Sequence, residues 1–134
     1  MLDQDRPWTA LYGPSVRKTI DAPKYRTIGD FISATADTFG DLPAFTACLP
    51  NGMNGTLTYR QADDMSDALA VYLREVAGLK AGDRVAIQVP NCLAYPIAAM
   101  AIFKAGCVLV NINPLYTAEE MAKQFVDSEP AAIV

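Results

Sequence analysis

Residues 84–134 alternate between short β-branched runs and runs of helical length, reading RVAIQV, AYPIAAMAIFKA, CVLVNI, TAEEMAKQFVDS and AAIV in turn. Strand, helix, strand, helix, strand is the pattern of a βαβαβ unit. Connections this long suit parallel pairing, which needs a crossover, and the crossovers should be right-handed. Strands are expected at Val85–Val89, at Cys107–Ile112 and from Ala131 onward. Cys107–Ile112 is almost uninterruptedly apolar, which predicts a strand buried on both faces. The helix before it has no polar face between Ile97 and Phe103, so it must be covered on several sides. It begins either after an Asn91 cap or at Pro96, since proline belongs in a first turn. In the next helix Thr117 and Glu120 form a capping box, and Ala118, Met121, Phe125 and Val126 are its expected core face. Pro130 closes the turn that follows. An apolar strand at Ala131–Val134 needs neighbours on both faces, so the sequence reads as truncated.

Upstream the pattern is different. Residues 1–26 carry three prolines, the aromatics Trp8, Tyr12 and Tyr25, and no period, which predicts an extended arm. Thr27 opens a helix, with Asp30 completing a capping box in place of the usual Glu. Ile28, Phe31, Ile32 and Phe39 share one face, and Gly40 stands as the stop. Ala44–Leu49 and Thr56–Tyr59 read as two strands joined by PNGMNG, whose two Asn-Gly pairs would supply positive φ angles. Thr58 and Gln61 make another capping box. The helix behind them would bury Ala62, Met65, Leu69, Tyr72, Leu73 and Val76, and Gly78 would end it.

Composition narrows the function classes. The 134 residues are 51% hydrophobic and 19% charged, the balance of a globular protein. A net charge of −4 argues against nucleic acid, and no Lys/Arg cluster stands out that would hold an anionic membrane. Cys48, Cys92 and Cys107 are odd in number and widely spaced, as expected of reduced, buried thiols in a cytosolic protein. Histidine is absent, which excludes Ser-His-Asp and Cys-His mechanisms. The start, MLDQDRPWTALYGP, is too acidic and polar for a signal peptide. Cys92–Ile112 has only one charge, Lys104, over a length that could span a bilayer. Pro96, Gly106 and Asn111 interrupt it, and a buried helix followed by a strand accounts for it better.

Phosphate and nucleophile motifs are missing. There is no GxxxxGK[ST], the turn after the first parallel strand is PNCLAYP rather than GxGxxG, and no GxSxG occurs. The neighbouring acids Asp63-Asp64 and Glu119-Glu120 point about 100° apart on their helices, so each pair reads as solvated surface rather than a facing catalytic pair. Asp83 reads as a turn residue. Tyr95 and Tyr116 fall in the carboxyl-end loops of the first two parallel strands, where open α/β sheets bind ligands; packing roles are the commoner use of such tyrosines.

Resemblance adds to this. The run LKAGDRVAIQVPNCLAYPIAAMAIFKAGCVLVNINPLYTAEEM is similar to the adenylate-forming acyl-CoA synthetases. TYRQADDMSDALAVYLRE stands where that family has its Thr-Tyr-x-x-Leu helix. VNINPLYT, and YPIA after Pro-Asn, resemble bacterial long-chain fatty-acid–CoA ligases in particular. The likeness covers about Thr27 to Val134. It implies an arm at 1–26 and, at 27–134, an incomplete amino-terminal part of the large AMP-binding domain: an α/β fold with a β-hairpin, a βαβαβ parallel sheet and helices on both faces.

For the parent enzyme the resemblance implies ATP, Mg²⁺, CoA and a fatty acid, an acyl-adenylate intermediate and thioester formation. It also implies a cytoplasmic place, peripheral at the inner membrane face, and a homodimer joined through the arm. The family's phosphate loop, adenine-binding segment, hinge Asp and catalytic Lys have no counterparts here. That leaves no catalytic, cofactor-binding or metal-ligating residue, an inert chain and no cofactor bound to it. Near the CoA and acyl channel the resemblance places Asn113, Pro114, Leu115 and Tyr116. Some relatives carry a basic residue at the position of Leu115 to meet a CoA phosphate. Leucine cannot, so a Pro-stiffened turn is the first reading of that loop. Two alternatives stay open: a stand-alone interaction module, and part of an acyl-AMP ligase that loads a carrier protein.

Overall fold

The computed structural model describes residues 6–134. A short 3-10 turn, Pro7–Leu11, begins the described chain, and the segment after it is exposed up to Lys24. Helix α1 spans Ile28–Phe39, and the capping box is present in both directions: Thr27 Oγ1 accepts from Asp30 N, and Thr27 N donates to the Asp30 carboxylate. Strands β1 (Pro43–Cys48) and β2 (Asn54–Thr58) pair antiparallel. In their connection only Gly52 takes a positive φ, of 83°. Gly55, expected to turn as well, lies within β2 opposite Ala47, where a Cβ would sit 3.0 Å from Leu93 Cδ1. Its role is close approach, not a turn.

Helix α2 (Tyr59–Val71) opens on the Thr58–Gln61 box and winds on as a single π-helical turn, Tyr72–Val76, before Gly78 stops it at φ 70°. Its buried stripe differs from the expected one. Ala62, Ser66, Ala70 and Leu73 are buried, whereas Met65, Tyr72 and Val76 are exposed. Small residues let α3 (Ala94–Lys104) pack closely along α2, and that stripe faces it. In α1, likewise, Ala36 is buried, while Ile28, Phe31 and Phe39 remain about half exposed.

The parallel sheet has the order β4-β3-β5, formed by Val108–Asn111, Arg84–Ile87 and Ala132–Ile133. The chain moves from β3 outward to β4, then returns past β3 to β5. Crossovers of one hand running in opposite directions put α3 and α4 (Ala118–Ser128) on opposite faces. Val85, Ala86 and Ile87 of the central strand are at most 1% exposed. Val85 and Ile87 pack with Leu73, Ala98, Ala101 and Ile102 to form the core. Burying a side chain the size of Val85 or Ile87 stabilises by about 1.5–3 kcal/mol.

Three expectations of burial are corrected here. β4 is only partly buried: among the described residues it is the outer strand of the sheet, and Val108 is half exposed. In α4 no residue is fully buried and Val126 is 80% exposed; of the four residues expected to face the core, only Met121 and Phe125 turn partly inward. Cys48 is exposed on its hairpin, while Cys92 is partly and Cys107 fully buried, all three as free thiols. The start of α3 is decided at Ala94, which places Pro96 in the first turn; Asn91 is not its cap. Among the described residues no helix is long and apolar enough to cross a membrane.

Candidate functional site at the carboxyl end of the sheet

The loops after β3 and β4 meet at one end of the sheet. Tyr95, in the first turn of α3, donates its hydroxyl to Asn111 Oδ1 at 2.8 Å. Asn111 ends β4, and its carbonyl also accepts from Gln124 of α4 at 3.5 Å. One residue therefore ties both connections to the strand end. Of the two tyrosines expected there, Tyr95 is a strut between β3 and β4 connections.

The loop Asn113–Tyr116 folds back on itself. Asn113 Oδ1 accepts from Leu115 N at 3.0 Å, and Asn113 O accepts from Tyr116 N at 3.1 Å. Pro114 fixes φ at the second position of this turn. Asparagine and proline thus preorganise the backbone, while Leu115 projects into solvent at 87% exposure. Tyr116 lines a shallow groove of about 380 Å³ with Glu120, Lys123, Gln124 and Asp127 of α4. Thr117 caps that helix, and its backbone and hydroxyl hydrogen bonds hold the Glu120 carboxyl below the usual carboxylate range. A second cleft, of about 340 Å³, lies between β1 and the Asn91–Pro96 turn, with Thr46, Cys92 and Tyr95 on its walls.

A buried ionic cluster was not anticipated. Lys104 Nζ lies 2.6 Å from Asp63 Oδ1 and 2.6 Å from Asp67 Oδ1, and 3.0 Å from the Asp63 carbonyl. Ser33 Oγ donates to the same Asp63 oxygen at 3.2 Å, so α1, α2 and α3 converge on one ammonium. Asp63 is accordingly a structural anion rather than solvated surface. The signal was present in the four-residue spacing of Asp63 and Asp67, which sets both on one helix face, and in the isolation of Lys104 within an apolar run. Asp83 is the turn residue expected, accepting from Lys80 N at 2.7 Å. Burial first, and the Asp83 charge second, push the Cys107 thiol up from its ordinary value.

Among the described residues no three His, Cys, Asp or Glu side chains are grouped to hold a metal ion. The side chains at the sheet's end position loops.

Comparison with known proteins fits this architecture. The family model described as AMP-binding enzyme matches residues 32–134. A long-chain-fatty-acid–CoA ligase of Salmonella typhimurium is 39% identical over 127 residues, which is 95% of this chain and 22% of that protein. The chain thus spans about a fifth of the length of the curated relatives it matches. Among solved structures, the fatty acyl-adenylate ligase from L. pneumophila superposes with a TM-score of 0.74 at 24% identity, covering 82% of this chain and 20% of that one. The N-terminal subdomain of Klebsiella oxytoca NpsA gives 0.71 at 22% identity, covering 80% and 26%. These two likenesses show a common fold. With the family model matched over more than three-quarters of its length, the chain belongs to the AMP-binding enzyme family.

Proposed function

We propose that this chain forms the first part of the large domain of a long-chain fatty-acid–CoA ligase, residues 1–26 being an arm and residues 27–134 the domain's opening layers. The observation that carries the reading is the 39% identity to a relative of that name across 95% of the chain. In the whole enzyme, fatty acid and ATP would give an acyl-adenylate with loss of pyrophosphate, and CoA thiolate would displace AMP. ATP, Mg²⁺ and CoA would be held by parts of the enzyme outside these residues, so the chain alone is inert. The turn Asn113–Pro114–Leu115–Tyr116 would border the CoA and acyl channel, Leu115 offering an apolar contact and no phosphate ligand. The enzyme would work in the cytoplasm, peripheral to the inner face of the membrane, as a homodimer.

The test is a segment exchange. The 127-residue matching segment of the S. typhimurium ligase is replaced by this chain's. Palmitate-dependent pyrophosphate release from ATP is then measured. Retained release supports the reading; a folded exchange enzyme that releases none contradicts it. Release by the 134-residue chain alone would contradict its inertness.

A further inference from the structure

In the run Val108-Leu109-Val110-Asn111-Ile112, which forms β4 and its continuation, every residue but Asn111 is β-branched or leucine. Asparagine is depleted in strands, because its amide competes for backbone hydrogen bonds and packs poorly on a pleated surface. Sheet pairing does not call for it: Asn111 stands opposite Ile87 in the register of β3, where a valine would pair as well. Its side chain has a task besides holding the strand.

Tyr95 shows the same excess of chemistry over packing. Its ring packs against the core cluster from the first turn of α3, a place that phenylalanine would fill, and only the hydroxyl sets it apart. That hydroxyl is directed at Asn111 Oδ1, 2.8 Å away. The end of β4 is thus held from both faces of the sheet. Tyr95 grips the Asn111 side chain from α3, and Gln124 donates to the Asn111 carbonyl from α4 at 3.5 Å. The next residue, Ile112, is 4% exposed and donates its N–H to Ile87 O at 2.9 Å. Beyond it the turn closes on itself. Leu115 N, Tyr116 N and Thr117 N donate to Asn113 Oδ1, Asn113 O and the Glu120 carboxylate, and Pro114 has no N–H to offer. A turn closed in this way moves as a unit about its two ends, and the end on β4 is the one that Tyr95 holds.

We infer that Tyr95 is a positioning residue for the site at the carboxyl end of the sheet: through Asn111 its hydroxyl fixes the direction in which β4 delivers the Asn113–Tyr116 turn, and with it the placement of Leu115. This rests on the reading given above, in which that turn borders the channel for CoA and the acyl chain. Open α/β sheets bind ligands in this crevice, and a displacement of about 1 Å in a positioning element is enough to spoil a bound geometry. Tyr95 touches no reacting atom in this account and acts only through the turn.

The first test needs no activity. Solvent exchange of the Leu115 and Tyr116 amides is followed by NMR in the 134-residue chain. One lost hydrogen bond corresponds to about fivefold in an opening equilibrium, so Tyr95→Phe and Asn111→Leu should each speed exchange at both amides about fivefold. Asn111→Asp keeps an acceptor for the hydroxyl and should exchange at the parent rate. The Gln61 amide, which donates to Thr58 at the exposed start of α2, opens locally elsewhere in the fold and should not respond. Unchanged exchange at residues 115 and 116, or equal acceleration at Gln61, would overturn the inference.

The second test uses the segment-exchanged ligase. Tyr95→Phe should raise KM for CoA or palmitate about fivefold, with kcat and the KM for ATP little changed, and Asn111→Asp should behave as the parent. Combined with Leu115→Ala it should add little, because both changes act through one contact. A fall in kcat at constant KM, or full additivity of the two variants, would contradict the positioning role. An exchange enzyme that releases no pyrophosphate contradicts the proposed function, while the amide measurement still decides the role of Tyr95, so the two readings can fail separately.

Discussion

Lys104 and Asp63 form an ion pair at 2.6 Å with the lysine side chain 7% exposed and the aspartate 17%. Three helices share this contact, since Asp63 also receives the Ser33 hydroxyl and Lys104 also reaches Asp67. An ammonium so enclosed is tolerated only because carboxylate and carbonyl oxygens surround it.

Removing one partner therefore leaves a buried charge behind. Lys104→Met should destabilise the chain by about 3–5 kcal/mol. Asp67 is more than half exposed, and Asp67→Asn should cost only about 0–1 kcal/mol. Urea unfolding of the two variants checks the difference; equal costs would mean that the cluster is solvated.

Three helices begin on threonine capping boxes, at Thr27, Thr58 and Thr117. Replacing any of the three by alanine should cost about 1 kcal/mol. The cap at Thr117 should also depend on pH. The Glu120 carboxyl is depressed in the fold, so its contribution is present above the ordinary glutamate value and is lost as pH falls through the folded one. The protection factors of the amides in the first turn of α4, with the intrinsic pH dependence of exchange divided out, should fall on acidification in the parent chain and change less in Glu120→Gln.

The thiols should be separated by reactivity. Cys48 is exposed and should be alkylated first, while Cys107, buried and with its ionisation pushed up, should react last. Because the folded state raises that ionisation, the related stability is present below the ordinary thiol range and is lost as pH rises through the folded value. Mass spectrometry of a timed maleimide reaction gives the order, and early labelling of Cys107 would contradict the packing of β4 against the 79–83 turn.

Position and contact can be told apart in the loop at the sheet's end. Leu115→Ala touches an exposed side chain and should shift stability by less than about 0.5 kcal/mol. Tyr95→Phe removes the bond to Asn111 and should cost about 1 kcal/mol. In the exchanged ligase, Leu115→Ala should raise KM for CoA or the fatty acid with kcat little changed, and unchanged constants would remove Leu115 from the channel.

Local features of this fold were legible in the sequence. Each capping box needs only residues three apart, and all three form as read. The order of strands and helices in the βαβαβ unit follows from apolar period and run length. Sidedness was harder. Met65, Tyr72 and Val76 keep helical spacing with Leu69, yet α3 packs on the neighbouring stripe of Ala62, Ser66 and Ala70, which a hydrophobicity pattern undervalues. β4 reads as central because its residues are apolar, and only the return of the chain past β3 makes it the outer strand among the described residues. The Lys104 cluster joins residues 37 and 41 positions apart, a separation that periodicity does not reach. At the candidate site, the turn at Pro114 was legible from its residues, whereas the Tyr95–Asn111 strut depends on how two loops lie across the sheet.

The most direct measurement is of the acyl acceptor. The segment-exchanged ligase is given ATP, Mg²⁺ and palmitate with either CoA or a phosphopantetheinyl carrier protein, and the acylated product is quantified. The account predicts palmitoyl-CoA, dependent on ATP and on CoA. A folded exchange enzyme that stops at palmitoyl-adenylate, or that acylates only the carrier, would contradict it.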